Sequence, residues 1–169
     1  KMVIFLLAPT LIFMAVLAEP LFRLVFTEKW LPAVPYFQIL CANGILYPIH
    51  AYNLNVLKVK GRSDLFLKLE IVKKVMIVVV IAISLYWGIY GLLYGSVLLS
   101  IMAFFVNTHY TGKFISFTSW DQTKAILPYI ALSLFCGGSV FLVDEILIDN
   151  MDILRLSIST FAGLFIYAS

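Results

Sequence analysis

Charged residues are scarce in this sequence of 169 residues, at 12% of the total. A soluble domain normally has about 25% charged residues and about 45–50% apolar ones. Here the apolar share is 63% and the mean hydropathy is +1.03. Because a folded chain of this size must expose much of its surface to its solvent, the composition excludes a water-soluble globule and indicates a surrounding of lipid.

The sequence also contains only two cysteines and has a small net charge. Cys41 and Cys136 both lie in apolar runs, which predicts buried free thiols and not a disulfide. A net charge of +3 is too small to indicate a nucleic-acid partner. The sequence has no metal-ligand spacing, nucleophile elbow, phosphate-binding glycine loop or pair of carboxylates at membrane depth. We therefore predict no catalytic residue, metal site or cofactor, and we do not expect an enzyme.

Long apolar runs dominate the chain instead. A membrane-spanning helix needs about 20 mainly apolar residues, and the runs are too long and too uniform for barrel strands. The predicted spans are 2–26, 34–57, 71–87, 92–110, 125–143 and 151–169. The expected fold is an all-α membrane protein with about six transmembrane helices.

The basic residues indicate the orientation of these spans. If the loop between the second and third spans is cytoplasmic, nine basic residues fall on that side and three on the other. The cytoplasmic nine are Lys1, Lys58, Lys60, Arg62, Lys68, Lys73, Lys74, Lys113 and Lys124; the other three are Arg23, Lys29 and Arg155. This asymmetry agrees with the positive-inside rule. It predicts a multi-pass protein of the bacterial inner membrane with both ends of the segment in the cytoplasm.

Polar side chains recur along the second predicted span. Asn43, Tyr47, His50 and Asn53 are spaced by four, three and three residues, which places them on one face of a continuous helix, with Asn55 just beside it. One interpretation is a hydrated cavity whose wall bonds sugar hydroxyls. The other is interhelical hydrogen bonding, at about 1 kcal/mol per bond. The sequence leaves both open.

Cationic side chains supply the remaining candidate site residues. Arg23 follows Glu19 by four residues, so it either pairs with that carboxylate or attracts an anionic head group. Lys58 and Arg62 lie in a basic loop around Gly61. That loop predicts an anchor against anionic lipid or a binding point for pyrophosphate.

The order of features resembles one family. The quoted segments are Ala8-Pro9, Glu19-Pro20-Leu21-Phe22, Phe26-Thr27-Glu28-Lys29-Trp30, Trp30-Leu31-Pro32-Ala33-Val34-Pro35-Tyr36, Tyr52-Asn53-Leu54-Asn55 and Lys60-Gly61-Arg62-Ser63-Asp64. Together they resemble the C-terminal portion of bacterial polysaccharide (O-antigen or lipopolysaccharide) flippases. These flippases belong to the multidrug/oligosaccharidyl-lipid/polysaccharide exporter superfamily. The resemblance covers nearly the whole chain but lies in sequence texture, because the family has no short signature.

The resemblance implies a two-lobed transporter of twelve to fourteen helices, of which this chain would supply about the last six. Lys1 and the apolar end at Ser169 likewise suggest a segment that lacks its N-terminal lobe. The implied function is translocation of undecaprenyl-pyrophosphate-linked oligosaccharide by alternating access, coupled to a proton or sodium gradient. Sugar contacts would come from Asn43, His50, Asn53 and Asn55, and pyrophosphate contacts from Arg23, Lys58 or Arg62.

Two alternatives to the flippase remain. A cation-coupled multidrug exporter of the same superfamily would be expected to carry acidic residues within the membrane, and Glu19 alone approaches that. A non-transporting membrane protein of polysaccharide assembly, such as a polymerase, would be expected to carry a large outer loop. The longest outer connection predicted here is short.

Overall fold

The computed structural model describes residues 2–115, 118–147 and 151–168, with only the backbone described at 113–115 and 168. Its α-helices are α1 (Met2–Val16), α2 (Ala18–Phe26), α3 (Val34–Gly44), α4 (Tyr47–Val59), α5 (Ser63–Ser84), α6 (Gly88–Ile115), α7 (Ser119–Ile146) and α8 (Asp152–Ala168). Two 3-10 segments, Glu28–Ala33 and Leu85–Trp87, join neighbouring helices. Within these residues there is no strand, which confirms the all-α fold class.

Two stretches are long and apolar enough to cross a membrane, Ser63–Gly112 and Ser119–Ile146. A third is present if α1 and α2, which are bent by 73° at their junction, count as one span. These segments are consistent with a membrane protein. The described residues thus hold two or three such segments, whereas the sequence predicts six spans.

The predicted span 34–57 differs most from the structure, because it contains two separate helices. Helix α3 has 11 residues and α4 has 13, and each is shorter than the roughly 20 residues of a span. Gly44 is the last residue of α3, and Pro48 lies in the first turn of α4. Proline suits a first turn because its missing N–H would have no intrahelical partner there. The predicted span 151–169 corresponds to α8, and its last residue lies outside the described part.

The predicted span 2–26 is also divided, at Leu17. Pro20 lacks an N–H, and its ring collides with the carbonyl four residues earlier in a continuous helix. That carbonyl belongs to Val16, the last residue of α1. Hydrogen bonds from Leu17 N to Phe13 O (2.8 Å) and from Leu21 N to Leu17 O (3.1 Å) continue through the bend. The bend therefore follows from Pro20.

The chain divides into two compact units, and the first comprises residues 1–45 and 126–169. Its buried apolar cluster consists of Ile12, Phe13, Leu17, Cys136 and Val140. Pro9 leaves the carbonyl of Phe5 without its helical donor, and the hydroxyl of Tyr167 donates to that oxygen at 2.6 Å. Cys41 and Cys136 are both buried free thiols, which confirms that prediction.

The second unit comprises residues 46–125. Its helices α5 and α6 form a hairpin that reverses at Gly88, whose φ of 65° is left-handed. A Cβ added at Gly95 would lie 2.8 Å from Val80 Cγ1. In a straight helix, fifteen residues would separate these positions by about 22 Å. The stretch Ser63–Gly112 therefore folds back on itself.

Candidate functional site

Buried polar side chains concentrate in the second unit, where α4, α6 and the first turns of α7 meet. The side-chain amide of Asn53 on α4 donates to Gln122 Oε1 on α7 at 3.1 Å. The hydroxyl of Thr111 on α6 donates to the backbone carbonyl of Asn53 at 3.3 Å. We name this group the polar cluster and define it as His50, Asn53, Ser100, Asn107, Thr108, Thr111, Ser119 and Gln122. The cluster links three helices through side chains.

His50 lies between α4 and α6 in this cluster, and the ring is half-buried. Its Nε2 is 3.1 Å from Ser100 Oγ, and its Nδ1 is 3.4 Å from Asn107 Nδ2. Ser100 and Asn107 are two helical turns apart on one face of α6. Because the amide Nδ2 carries only donors, Nδ1 accepts and the neutral ring donates from Nε2. One imidazole therefore bonds two turns of the neighbouring helix.

Two amide oxygens of the polar cluster have no hydrogen-bond donor among the described residues. They are Oδ1 of Asn53 and Oδ1 of Asn107, and both side chains are at most 1% exposed. Each amide uses its nitrogen, toward Gln122 and His50 respectively. A buried acceptor without a donor costs about 1–3 kcal/mol. The cluster therefore holds two buried acceptors that could take additional donors.

Asn55 lies on a different side of α4 from Asn53, because residues two apart on a helix do not share a face. It is exposed, whereas Asn53 is fully buried. An open depression of about 310 Å³ lies against Tyr52, Asn55, Val56, Val59 and Lys60. The structure therefore brings Asn55 close to Lys60 and not to the polar cluster.

The turn between α4 and α5 carries exposed cations. Lys58 Nζ lies 4.7 Å above the ring centroid of Phe66. Arg62 donates to both carboxylate oxygens of Asp64, from Nε at 3.0 Å and from Nη2 at 2.9 Å. Those hydrogen bonds, together with the carboxylate charge, raise the pKa of Arg62 above its ordinary value. Gly61 has a φ of 68°, which agrees with the turn predicted there.

Arg23 and Asn43 belong to the first unit. Arg23 Nη2 is 2.7 Å from Glu19 Oε1, which confirms the predicted ion pair on one helix. Asn43 is half-buried on α3. Since α3 ends at Gly44 and α4 begins at Tyr47, the predicted continuous face from Asn43 to Asn53 is interrupted. Of its members, His50 and Asn53 lie in the polar cluster.

The sequence did not single out several members of the polar cluster as site residues. Ser100, Asn107, Thr111 and Gln122 are not among the site residues predicted from the sequence. A signal was present in α6, where Asn107, Thr108 and Thr111 recur at helical spacing after an apolar run. The contact with α4, more than 50 residues away in sequence, is what gives these residues their role.

Comparison with protein-family models, curated proteins and solved structures gives no match. Within the described ranges, no group of three or more His, Cys, Asp and Glu side chains is arranged to hold a metal ion. Function is therefore inferred from the side chains described above and from the family resemblance of the sequence.

Proposed function

We propose that this chain is part of a transporter that moves undecaprenyl-pyrophosphate-linked oligosaccharide across the bacterial inner membrane for surface polysaccharide biosynthesis. The observation that carries the proposal is the polar cluster, of which five members lie within predicted spans: His50, Asn53, Ser100, Asn107 and Thr108. Polar groups at membrane depth are costly, and in membrane proteins they are typical of substrate and ion pathways. In this proposal the chain supplies about the last six spans of a two-lobed transporter of twelve to fourteen helices.

The chemistry of the polar cluster fits a cargo of sugars. Amide and hydroxyl groups exchange hydrogen bonds with sugar hydroxyls without requiring charge. The unpartnered oxygens of Asn53 and Asn107 would accept from such hydroxyls once α4 separates from α6. Alternating access moves one lobe against the other, so this proposal requires α4 to separate from α6 as part of that movement. His50 and Asn53 are the candidate sugar contacts that this step would expose.

The basic turn fits the pyrophosphate of the same cargo. Lys58 and Lys60 are exposed and Arg62 is half-buried, with 44% of its side chain accessible, so an anionic head group can reach all three. Arginine binds phosphate with two parallel hydrogen bonds, and lysine binds it as a point charge. Arg62 would have to exchange Asp64 for phosphate. Asn55 lies beside Lys60 and would contact the first sugar.

The drug-exporter alternative depends on an acidic residue that exchanges cations. Glu19 is paired with Arg23, and Asp144 is buried in an ion pair with Arg155. A carboxylate that already holds a guanidinium gains little from binding a further cation. These two pairs therefore count against Glu19 and Asp144 as the cation-exchanging residue that the drug exporter would need.

The test begins in cells from which the gene for this protein has been deleted. We expect undecaprenyl-pyrophosphate-linked oligosaccharide to accumulate on the cytoplasmic side while surface polysaccharide is lost, and the wild-type gene to reverse both effects. Unchanged lipid-linked sugar together with new sensitivity to cationic drugs would support the exporter. Unchanged lipid-linked sugar without that sensitivity would support the non-transporting alternative.

Variants of the basic turn then test the pyrophosphate contacts. Combined Lys58→Gln, Lys60→Gln and Arg62→Gln substitutions should prevent complementation. The matched control, Lys58→Arg with Lys60→Arg, keeps every charge and should complement. Protein abundance in the membrane is measured for both variants, because these residues also favour correct insertion. Full complementation by the neutral variant, at normal abundance, would remove these side chains from the site.

A further inference from the structure

The side-chain amide of Asn107 offers His50 two different atoms. Its nitrogen donates to the neutral ring, and its buried oxygen could accept from the protonated ring. The Nδ1 atom accepts from Asn107 Nδ2 at 3.4 Å, which is a long hydrogen bond. The other atom of the same amide, Oδ1, is buried and has no donor among the described residues. Because an amide exchanges its oxygen and nitrogen by rotating about Cβ–Cγ, Asn107 can present either atom to the ring.

We propose that His50, Ser100 and Asn107 form a proton-operated link between α4 and α6. One proton from water binds to the Nδ1 lone pair of His50, and no covalent bond breaks. The amide of Asn107 then turns, and its Oδ1 accepts from the new Nδ1–H. Nε2–H continues to donate to Ser100 Oγ, 3.1 Å away. The proposal concerns the link itself and does not depend on the cargo.

Protonation changes the strength of this link. In the neutral state the ring makes one long contact and one ordinary hydrogen bond to α6. In the protonated state both contacts become charge-assisted hydrogen bonds, which are shorter and about twice as strong as neutral ones. Acid therefore holds α4 against α6, and loss of the proton weakens the contact at the centre of the polar cluster.

The nearest charges to the ring come from α5. The positive charge of Lys73 opposes protonation of His50, and the pairing of Lys73 with Glu70 offsets part of that charge. Helix α6 faces the ring with Ser100 and Asn107, which do not titrate. Further along α4 the next charge is Lys58, over Phe66, and α7 contributes the uncharged Gln122 to the neighbouring Asn53.

The test uses the purified full-length protein in detergent, with nitrogen-15-labelled histidine and nuclear magnetic resonance between about pH 5 and 8, where histidine titrates. The chain described here has two histidines, His50 and His109. His109 is exposed, so the His109→Gln variant leaves the His50 signal and serves as the control. The neutral His50 ring should carry its proton on Nε2.

Substitution of Asn107 tests the acceptor directly. Asn107→Asp keeps the shape and supplies an oxygen in either orientation, and it should raise the titration midpoint of His50 by about one to three pH units. Asn107→Leu removes the acceptor and should lower that midpoint. An unchanged His50 midpoint in both folded variants would overturn the proposal.

A further variant and the pH dependence of the unfolding temperature test the proposal independently of the Asn107 variants. Ser100→Ala removes the Nε2 partner and leaves Asn107 in place, so the neutral ring should keep the Nε2–H tautomer while the protonated ring loses one charge-assisted hydrogen bond and the titration midpoint of His50 falls. The unfolding temperature of the wild type should depend on pH through this range, and His50→Gln should abolish the dependence that His109→Gln retains. Equal pH dependence in the two glutamine variants would mean that His50 is not the proton-binding group.

Discussion

The guanidinium of Arg155 on α8 donates two hydrogen bonds to the carboxylate of Asp144 on α7, from Nε to Oδ1 at 3.0 Å and from Nη2 to Oδ2 at 2.8 Å. Arg155 is 3% exposed and Asp144 is 8% exposed. Asp152 adds a weaker contact, 3.6 Å from Nη1. The pair joins the two helices in a region that water hardly reaches.

Removal of one partner should therefore destabilise the first unit. Arg155→Ala leaves the Asp144 charge buried without its counter-ion, which costs about 3–5 kcal/mol of unfolding free energy. Replacement of both partners, Arg155→Met with Asp144→Leu, should be close to neutral, because it removes both charges and leaves neither buried without a counter-ion. The measurement is denaturant unfolding of the purified protein in detergent.

Arg23→Ala is the control for that experiment, because Arg23 also pairs with a carboxylate but is more than a third exposed. An exposed pair contributes about 0–1 kcal/mol. Equal losses from Arg155→Ala and Arg23→Ala would contradict the assignment of a buried pair.

Adjacent glycines on α7 give a second, internally controlled prediction. A Cβ at Gly137 would collide with the side chain of the buried Ile12, whereas one at Gly138 meets nothing within 4 Å. Gly137→Ala should cost about 1–3 kcal/mol through overpacking. Gly138→Ala should gain up to about 1 kcal/mol, since alanine favours helix. Thermal unfolding of both variants checks the contrast, and a gain from Gly137→Ala would refute the close approach.

The fold class was readable from the sequence, but the helix breaks were not. Apolar composition and run length indicate helices without reference to tertiary contacts. The division of 34–57 depends on Gly44 and Pro48, which also occur in continuous membrane helices. Pro20 explains the position of the bend between α1 and α2, but its presence alone does not fix the 73° angle. A sum of hydropathy over a window cannot detect a break that leaves composition unchanged.

Only part of the candidate site could be predicted from the sequence, because its hydrogen-bond partners are distant along the chain. The spacing of His50 and Asn53 placed them on one face of α4, and both do lie in the polar cluster. Their partners Asn107 and Gln122 are separated from them by more than 50 residues. Such pairings depend on how α6 and α7 pack against α4, which a single sequence does not record. Their assignment to substrate stays a prediction.

The bond between Asn53 and Gln122 should be visible as a coupling energy. Each single substitution, Asn53→Leu or Gln122→Leu, leaves a buried polar partner unsatisfied and should cost about 1–3 kcal/mol. The double variant should cost less than the sum, with a coupling of about 0.5–1.5 kcal/mol. The exposed Asn55→Leu is the control and should change stability by less than about 0.5 kcal/mol. Strict additivity in denaturant unfolding would show that the two amides do not interact.

The predicted membrane orientation can be tested with single cysteines. Lys60 belongs to the basic turn assigned to the cytoplasm, and Glu28 lies on the side assigned to the exterior; both are exposed. Each is replaced by cysteine in a background that carries Cys41→Ala and Cys136→Ala. A membrane-impermeant maleimide should label Lys60→Cys in inside-out vesicles and Glu28→Cys in right-side-out vesicles, because basic loops are retained in the cytoplasm. Labelling of both positions from the same side would falsify the orientation, and labelling of Lys60→Cys in right-side-out vesicles would place the basic turn away from a cytoplasmic pyrophosphate.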